Sequence, residues 1–230
     1  MTPDQRLRAF EAIESLLRTG QFVSASKLLE RFEGATLDRS QSALRYLLQA
    51  KTRYMSAEYR KALLALQRLP NQDLSPHHQA TALWLKTGSL LGLQKIPEAL
   101  TMARNFALNT HQFIATSVYE MVWNTLRSMT TSDLNQLEVA IADPYSAAWL
   151  TLANLFASDP ISSQNFNRQL ASWQRRNPNH PANRYVLLRI ASKTNPRIRQ
   201  VALLLPITSP FAEAAQAIRD GFLFLSEQND

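Results

Sequence analysis

The chain has 230 residues, of which 45% are hydrophobic, which is enough to bury the core of one large or two modest domains. It has no cysteine, which excludes disulfides, thiolate zinc sites and a cysteine nucleophile. No run of about 18 apolar residues predicts a transmembrane helix, and the N-terminus MTPDQRLRAF lacks the charged and then apolar layout of a signal peptide. The formal net charge is +7.

Helix starts are predicted where a capping residue precedes a proline, because proline fits the first helical position. Four such pairs occur: Thr2-Pro3, Ser75-Pro76, Asp143-Pro144 and Asp159-Pro160. Apolar residues recur at helical spacing between them, and no run alternates as a strand would. The sequence up to residue 196 therefore predicts an all-α region.

An internal repeat of 37 residues runs through the first half of the chain. A large apolar residue is followed three positions later by alanine in each copy, as in Phe22 and Ala25, Tyr59 and Ala62, and Ile96 and Ala99. Positions three apart share a helix face, and the small residue lets a neighbouring helix approach closely.

The turn before the second helix of each hairpin is predicted at Gly20 and Gly92, whereas the second copy has Ala57 nearby and no glycine. The period is slightly longer than the 34 residues typical of tetratricopeptide repeats. We therefore predict divergent tetratricopeptide-like hairpins that stack into a superhelical solenoid.

Positive charge is concentrated late in the chain, since no acidic residue lies between Asp159 and Glu213. A solvated face is the simplest interpretation, but a field of one sign also steers anionic partners. Nucleic acid is disfavoured because the region lacks a recognisable stacking or groove-reading motif. The candidate partner-binding residues are Arg168, Arg175, Arg176, Arg184 and Arg189.

No arrangement in the sequence predicts catalysis, a cofactor or a metal. His77 and His78 are adjacent and would point about 100° apart on a helix, and His180 lies in a proline-rich break. No nucleophile elbow or phosphate-binding loop occurs. The four tryptophans, Trp84, Trp123, Trp149 and Trp173, fall among apolar residues and are predicted to pack in the core.

The break Thr194-Asn195-Pro196 predicts a boundary between a helical domain, residues 1–196, and the start of an α/β domain, residues 197–230. The apolar run Val201 to Leu205 suits a central parallel strand, and an amphipathic helix follows it. One strand and one helix cannot bury each other, so we expect the chain to be cut early in this second domain.

The segment QVALLLPITSPFAEAAQAIRDGF resembles the first strand, loop and helix of the periplasmic-binding-protein-like fold. With a helical region before it, the chain resembles the lipoprotein family that activates bifunctional penicillin-binding proteins, the LppC/LpoA type. Ile207-Thr208-Ser209 replaces the usual Leu-Ser-Gly, and Ala215 stands where glycine is frequent. These replacements disfavour a small-molecule site on this loop, because glycine allows close backbone approach.

The resemblance implies a non-catalytic regulator on the periplasmic face of the outer membrane. Its expected partner is a bifunctional penicillin-binding protein, with peptidoglycan as a second candidate. The membrane would be reached only through a lipid anchor that is absent from this chain, so we expect Met1 to follow the anchor. The helical domain would act as a spacer and interaction arm.

Two other functions remain open at this point. A cytosolic tetratricopeptide-like scaffold would bind a protein tail in its groove, with the last strand and helix as a cap. A solute-binding receptor with a helical extension would hold a ligand between two α/β lobes.

Overall fold

In a computed structural model, every regular element among the described residues is helical. The structure describes residues 3–69, 74–109, 112–161, 163–187, 216, 218 and 219. Ten α-helices occur in this part of the chain, and they form the helical fold that the sequence predicts. They are α1 (Pro3–Arg18), α2 (Phe22–Glu30), α3 (Arg39–Met55), α4 (Tyr59–Gln67), α5 (Pro76–Gly92), α6 (Ile96–Asn109), α7 (Gln112–Arg127), α8 (Thr131–Ala140), α9 (Pro144–Ser158) and α10 (Gln164–Arg176).

The helices pack as stacked hairpins. Helix α1 pairs with α2, α3 with α4, and α5 with α6. The first helices also contact one another in order, so that α1, α3, α5, α7 and α9 form one row. The second helix of each of these hairpins contacts the first helix of the next, which buries a continuous core between neighbours. In the fourth and fifth units, α8 and α10 both pack on α9.

The predicted 37-residue repeat coincides with this stacking. Its large residues begin the second helices, since α2 starts at Phe22, α4 at Tyr59 and α6 at Ile96. The paired alanines are completely buried, at 0% exposure each: Ala25, Ala62 and Ala99. The repeat therefore marks the contacts between neighbouring helices, as predicted.

The turns of the hairpins follow the same period, but the predicted role of Gly92 is wrong. The left-handed residues in the three turns are Gly20, Ala57 and Gln94, with φ of 74°, 57° and 59°. Gly92 is instead the last residue of α5, where its Cα faces the ring of Tyr59. It is small because a Cβ would enter that ring, and a residue other than glycine takes the left-handed position.

Close packing also explains the other glycine of α5. A Cβ on Gly88 would lie 2.6 Å from the hydroxyl oxygen of Tyr54 and 2.9 Å from the sulfur of Met121. Gly88 therefore lies where side chains of α3 and α7 pack closely against α5. The Tyr54 hydroxyl reaches across to the Met121 sulfur at 3.6 Å.

Most of the predicted helix starts are confirmed. Helix α1 begins at Pro3, and Thr2 lies outside the described residues. Ser75 accepts the His78 amide hydrogen at 3.3 Å, and Asp143 accepts that of Ser146 at 3.0 Å. These caps satisfy amide groups that the first helical turn leaves without a partner.

The predicted start at Asp159-Pro160 is wrong. Asp159 is the C-cap residue of α9, and α10 begins later, with Ser163 as its N-cap. The Asp159 carboxylate accepts hydrogen bonds from the side chains of Asn165 and Gln169, at 2.9 and 3.1 Å. It thus joins α9 to α10 through side chains and leaves the capping of the α10 backbone to Ser163.

The chain divides into two compact units, residues 1–188 and 189–230, and all ten described α-helices lie in the first. The predicted strand Val201 to Leu205 and the boundary at residue 196 lie outside the described residues, so both stay predictions. Within the first unit, residues Asn183–Leu187 form a π-helical turn.

His180 fastens the loop that follows α10. Its side chain is 7% exposed, and its ring centroid lies 4.7 to 5.2 Å from those of Trp149, Tyr145 and Trp173. Nδ1 accepts the Ala182 amide hydrogen at 3.3 Å, which leaves the hydrogen on Nε2 to be donated to the Tyr145 carbonyl oxygen at 3.3 Å. Burial lowers the pKa of His180 to about 4, so the neutral ring is part of the fold.

We expect Ala57→Gly to stabilise the chain by about 0.5 to 1 kcal/mol, because glycine removes the steric cost of a left-handed φ. The neighbouring Ser56 is exposed and has a φ of −87°, so Ser56→Gly supplies a matched control. Urea denaturation followed by circular dichroism measures both. The control should be neutral or destabilising, and equal effects of the two variants would contradict the assignment of strain to Ala57.

We expect acid to destabilise the chain partly through His180. Its folded pKa lies below its unfolded value, so the unfolded state binds more protons and stability is lost as pH falls from about 6.5 towards 4. Between about pH 7 and 4.5 the loss from this group is about 2 kcal/mol. His180→Gln should be less stable at neutral pH but should lose about that much less on acidification.

Urea titrations of both proteins, followed by tryptophan fluorescence across this pH range, measure the difference. Contributions from other titrating groups cancel between the two proteins, because only residue 180 differs. Parallel pH profiles would show that His180 does not stay neutral in the folded state.

Candidate interaction surface

Helix α10 presents one face to solvent and is held firmly by the other. Phe166 and Trp173 are 2% and 1% exposed, and the Trp173 indole donates a hydrogen bond to the Ala148 carbonyl oxygen at 2.9 Å. Phe166 meets Phe156 edge to face at 4.9 Å. These contacts fix the rotation of α10 against α9.

Two of the predicted binding residues lie together on the solvent face of α10. Arg168 and Arg175 are seven residues apart, which places them about 20° apart around the helix and about 10 Å apart along it. Gln164 and Ala171 lie in the same exposed sector. Neither arginine forms an ion pair with another described residue. We refer to Arg168 and Arg175 as the arginine stripe.

The other three predicted residues do not join the stripe. Arg176 lies on an adjoining face of α10 and lines a groove of about 290 Å³ with Glu138 and Asp159. Arg184 is exposed in the π-helical turn, and Arg189 lies outside the described residues. The structure therefore brings together two of the five candidate residues on one continuous strip.

Another concave surface lies between α2, α3 and α4, and the sequence analysis missed it. This groove has a volume of about 260 Å³, and three arginines line it: Arg45, Arg53 and Arg68. Glu30 and Glu33 line it as well. We refer to it as the first groove, because the first two hairpins form it. Residues from three helices meet here, so no short sequence motif marks it.

Two guanidinium groups of the first groove are held in place. Arg45 donates from Nη1 to the Phe32 carbonyl oxygen at 3.1 Å, and its guanidinium lies 4.7 Å from the centroid of the Tyr46 ring. Arg53 pairs with Glu58 at 2.7 Å. Hydrogen bonds from Lys61 and Arg53 lower the pKa of Glu58, so this carboxylate stays charged beside the groove.

The tryptophans belong mainly to the core, as predicted. Trp123, Trp149 and Trp173 are 6%, 0% and 1% exposed. Trp84 is half-buried and meets Tyr54 edge to face at 5.0 Å. They therefore position helices and leave the polar side chains of α2, α3 and α10 at the surface.

Among the described residues, no three side chains of the metal-binding types come together. The described helices are also too short or too polar to span a bilayer.

The chain is similar to proteins named penicillin-binding protein activator LpoA. The relative from Photobacterium profundum is 28% identical over 222 residues, which cover 92% of this chain and 35% of the relative. That from Vibrio antiquarius is 25% identical over 221 residues, covering 93% and 36%. The chain thus spans about a third of the length of these relatives.

Solved structures share the fold. The LpoA N-terminal domain from Haemophilus influenzae matches with a TM-score of 0.67 at 20% identity, covering 84% of this chain and 87% of that domain. The E. coli LpoA amino-terminal domain matches with a TM-score of 0.60 at 21% identity, covering 89% and 87%. The family model described as "LppC putative lipoprotein" matches residues 2–230. The chain therefore belongs to the LppC lipoprotein family.

Proposed function

We propose that this chain is the helical domain of an outer-membrane lipoprotein that activates a bifunctional penicillin-binding protein in peptidoglycan synthesis. The observation that carries the proposal is the family match across residues 2–230, together with relatives named penicillin-binding protein activator. On this proposal the protein regulates an enzyme from the periplasmic face of the outer membrane. It performs no chemistry itself.

The proposed mechanism is positioning. Stacked hairpins bury a continuous core, so the array transmits orientation from one end to the other as a semi-rigid body. Residues 1–196 would form this arm, and residues 197–230 would begin the α/β domain that the arm presents to the synthase. The buried alanines and the two glycines of α5 support the proposal, because they make neighbouring helices pack tightly.

The arginine stripe is the proposed contact of this arm with the synthase. Its two positive charges are exposed, lack ion pairs among the described residues and flank the short side chain of Ala171. Arg176, Arg184 and Arg189 would extend the positive field around it. Such a field speeds the association of an acidic surface and is weakened by salt.

Surface plasmon resonance with a purified bifunctional penicillin-binding protein tests this contact. We expect Arg168→Gln/Arg175→Gln to slow association about fivefold at about 50 mM salt, because two steering charges are lost, and to converge with the unmodified chain at about 500 mM. The matched control is Arg60→Gln/Arg127→Gln, which removes two exposed arginines, one from α4 and one from α7. Arg127 lies in the last turn of its helix, as Arg175 does in α10.

The control should change the association rate less than twofold. If both pairs slowed association equally, the stripe would act only through its contribution to the net charge of the chain. That result would contradict its role as the contact. Failure of the unmodified chain to bind at either salt concentration would contradict the interaction arm itself.

A further inference from the structure

The first groove presents several side-chain donors that bind no other described residue. In the described part of the chain, the Ser26 hydroxyl, the Gln49 amide and the Arg68 guanidinium make no hydrogen bond, although all three line the groove. Arg45 Nε also has no partner, but it is buried out of reach of the groove, so a ligand would meet the Nη groups of this guanidinium.

The arrangement of these groups is fixed before any ligand arrives. Arg45 is held by the Phe32 carbonyl and the Tyr46 ring, and Arg53 by Glu58. Each guanidinium has five donor hydrogens, and these bonds use only part of them. Their remaining donors suit a carboxylate, which guanidinium groups bind in a planar and often bidentate geometry.

The repeat shows that stacking does not require these arginines. One period later, the positions of Arg45 and Arg53 are occupied by Ala82 and Leu90, on α5. Ala82 packs partly buried against the core, and Leu90 is 7% exposed, so α5 packs with small or apolar residues at these places. The arginines are therefore a local addition to the repeated architecture, and a binding role accounts for them.

We propose that the first groove binds the free carboxylate end of a peptide. The groove, with a volume of about 260 Å³, has room for the last one or two residues of a peptide. Arg45, Arg53 and Arg68 take the carboxylate between them. The Gln49 amide and the Ser26 hydroxyl pair with the last peptide groups. Glu30 and Glu33 on the α2 side repel a doubly charged phosphate more strongly than a singly charged carboxylate, because the repulsion grows with the charge of the ligand.

The test uses the whole chain, labelled with ¹⁵N, and follows amide shifts on titration with N-acetyl-glycyl-glycine. We expect saturable shifts confined to the ends of α2 and α4 and the groove side of α3, with a dissociation constant of about 1 mM for so small a probe. The peptide with an amidated C-terminus, and inorganic phosphate, should bind at least about fivefold more weakly.

The double variant Arg45→Ala/Arg53→Leu installs the residues that the next hairpin carries at these positions. It should keep the circular dichroism spectrum and weaken peptide binding by about tenfold or more, since two guanidinium partners are lost. The control Arg8→Ala/Arg60→Leu removes two exposed arginines outside the groove and should bind as the unmodified chain does.

Equal binding of the acid and the amide, or of both double variants, would overturn the proposal. Unfolding of Arg45→Ala/Arg53→Leu would show that the arginines serve the fold, and Arg68→Gln then decides. Arg68 is the exposed C-cap residue of α4, and its side chain forms no hydrogen bond or ion pair with another described residue. Unchanged binding by Arg68→Gln would therefore also overturn the proposal.

Discussion

The close approach of neighbouring helices at three buried alanines governs the rest of this structure. Ala25, Ala62 and Ala99 have no exposed surface, and each lies three residues after the start of the second helix in its hairpin. A larger side chain there would push the next hairpin away, because interiors are packed without spare volume. The stack depends on this repeated contact, and so does the relative placement of the surface residues on the described helices α1 to α7.

The stack determines which side chains remain available for a partner. Apolar residues and tryptophans pack between the helices. The arginine stripe and the first groove, in contrast, consist mainly of polar side chains at the surface. Helix α10 shows the division clearly, since Phe166 and Trp173 are buried on one side and Arg168 and Arg175 are exposed on the other. The proposed role as an interaction arm fits a molecule whose described surfaces include charged side chains carried by a packed scaffold.

The sequence was sufficient to predict features that depend on one helix or on a fixed period. It was not sufficient to predict features that depend on contacts among several helices. The 37-residue spacing was sufficient to locate the hairpins, because each copy repeats the same contact. Gly92 was misassigned because glycine serves both turns and close packing, and only the structure shows that Tyr59 fills the space. The first groove was missed because Arg45, Arg53 and Arg68 converge only after folding.

The most direct test of the account is hydrogen-deuterium exchange of the whole chain with and without a purified bifunctional penicillin-binding protein. If the helical unit is an interaction arm, amides of α10 should gain protection on binding, while those of α2 and α4 should exchange at unchanged rates. Protection that spares α10, or no protection anywhere in residues 3–187, would contradict the claim that this domain contacts the synthase.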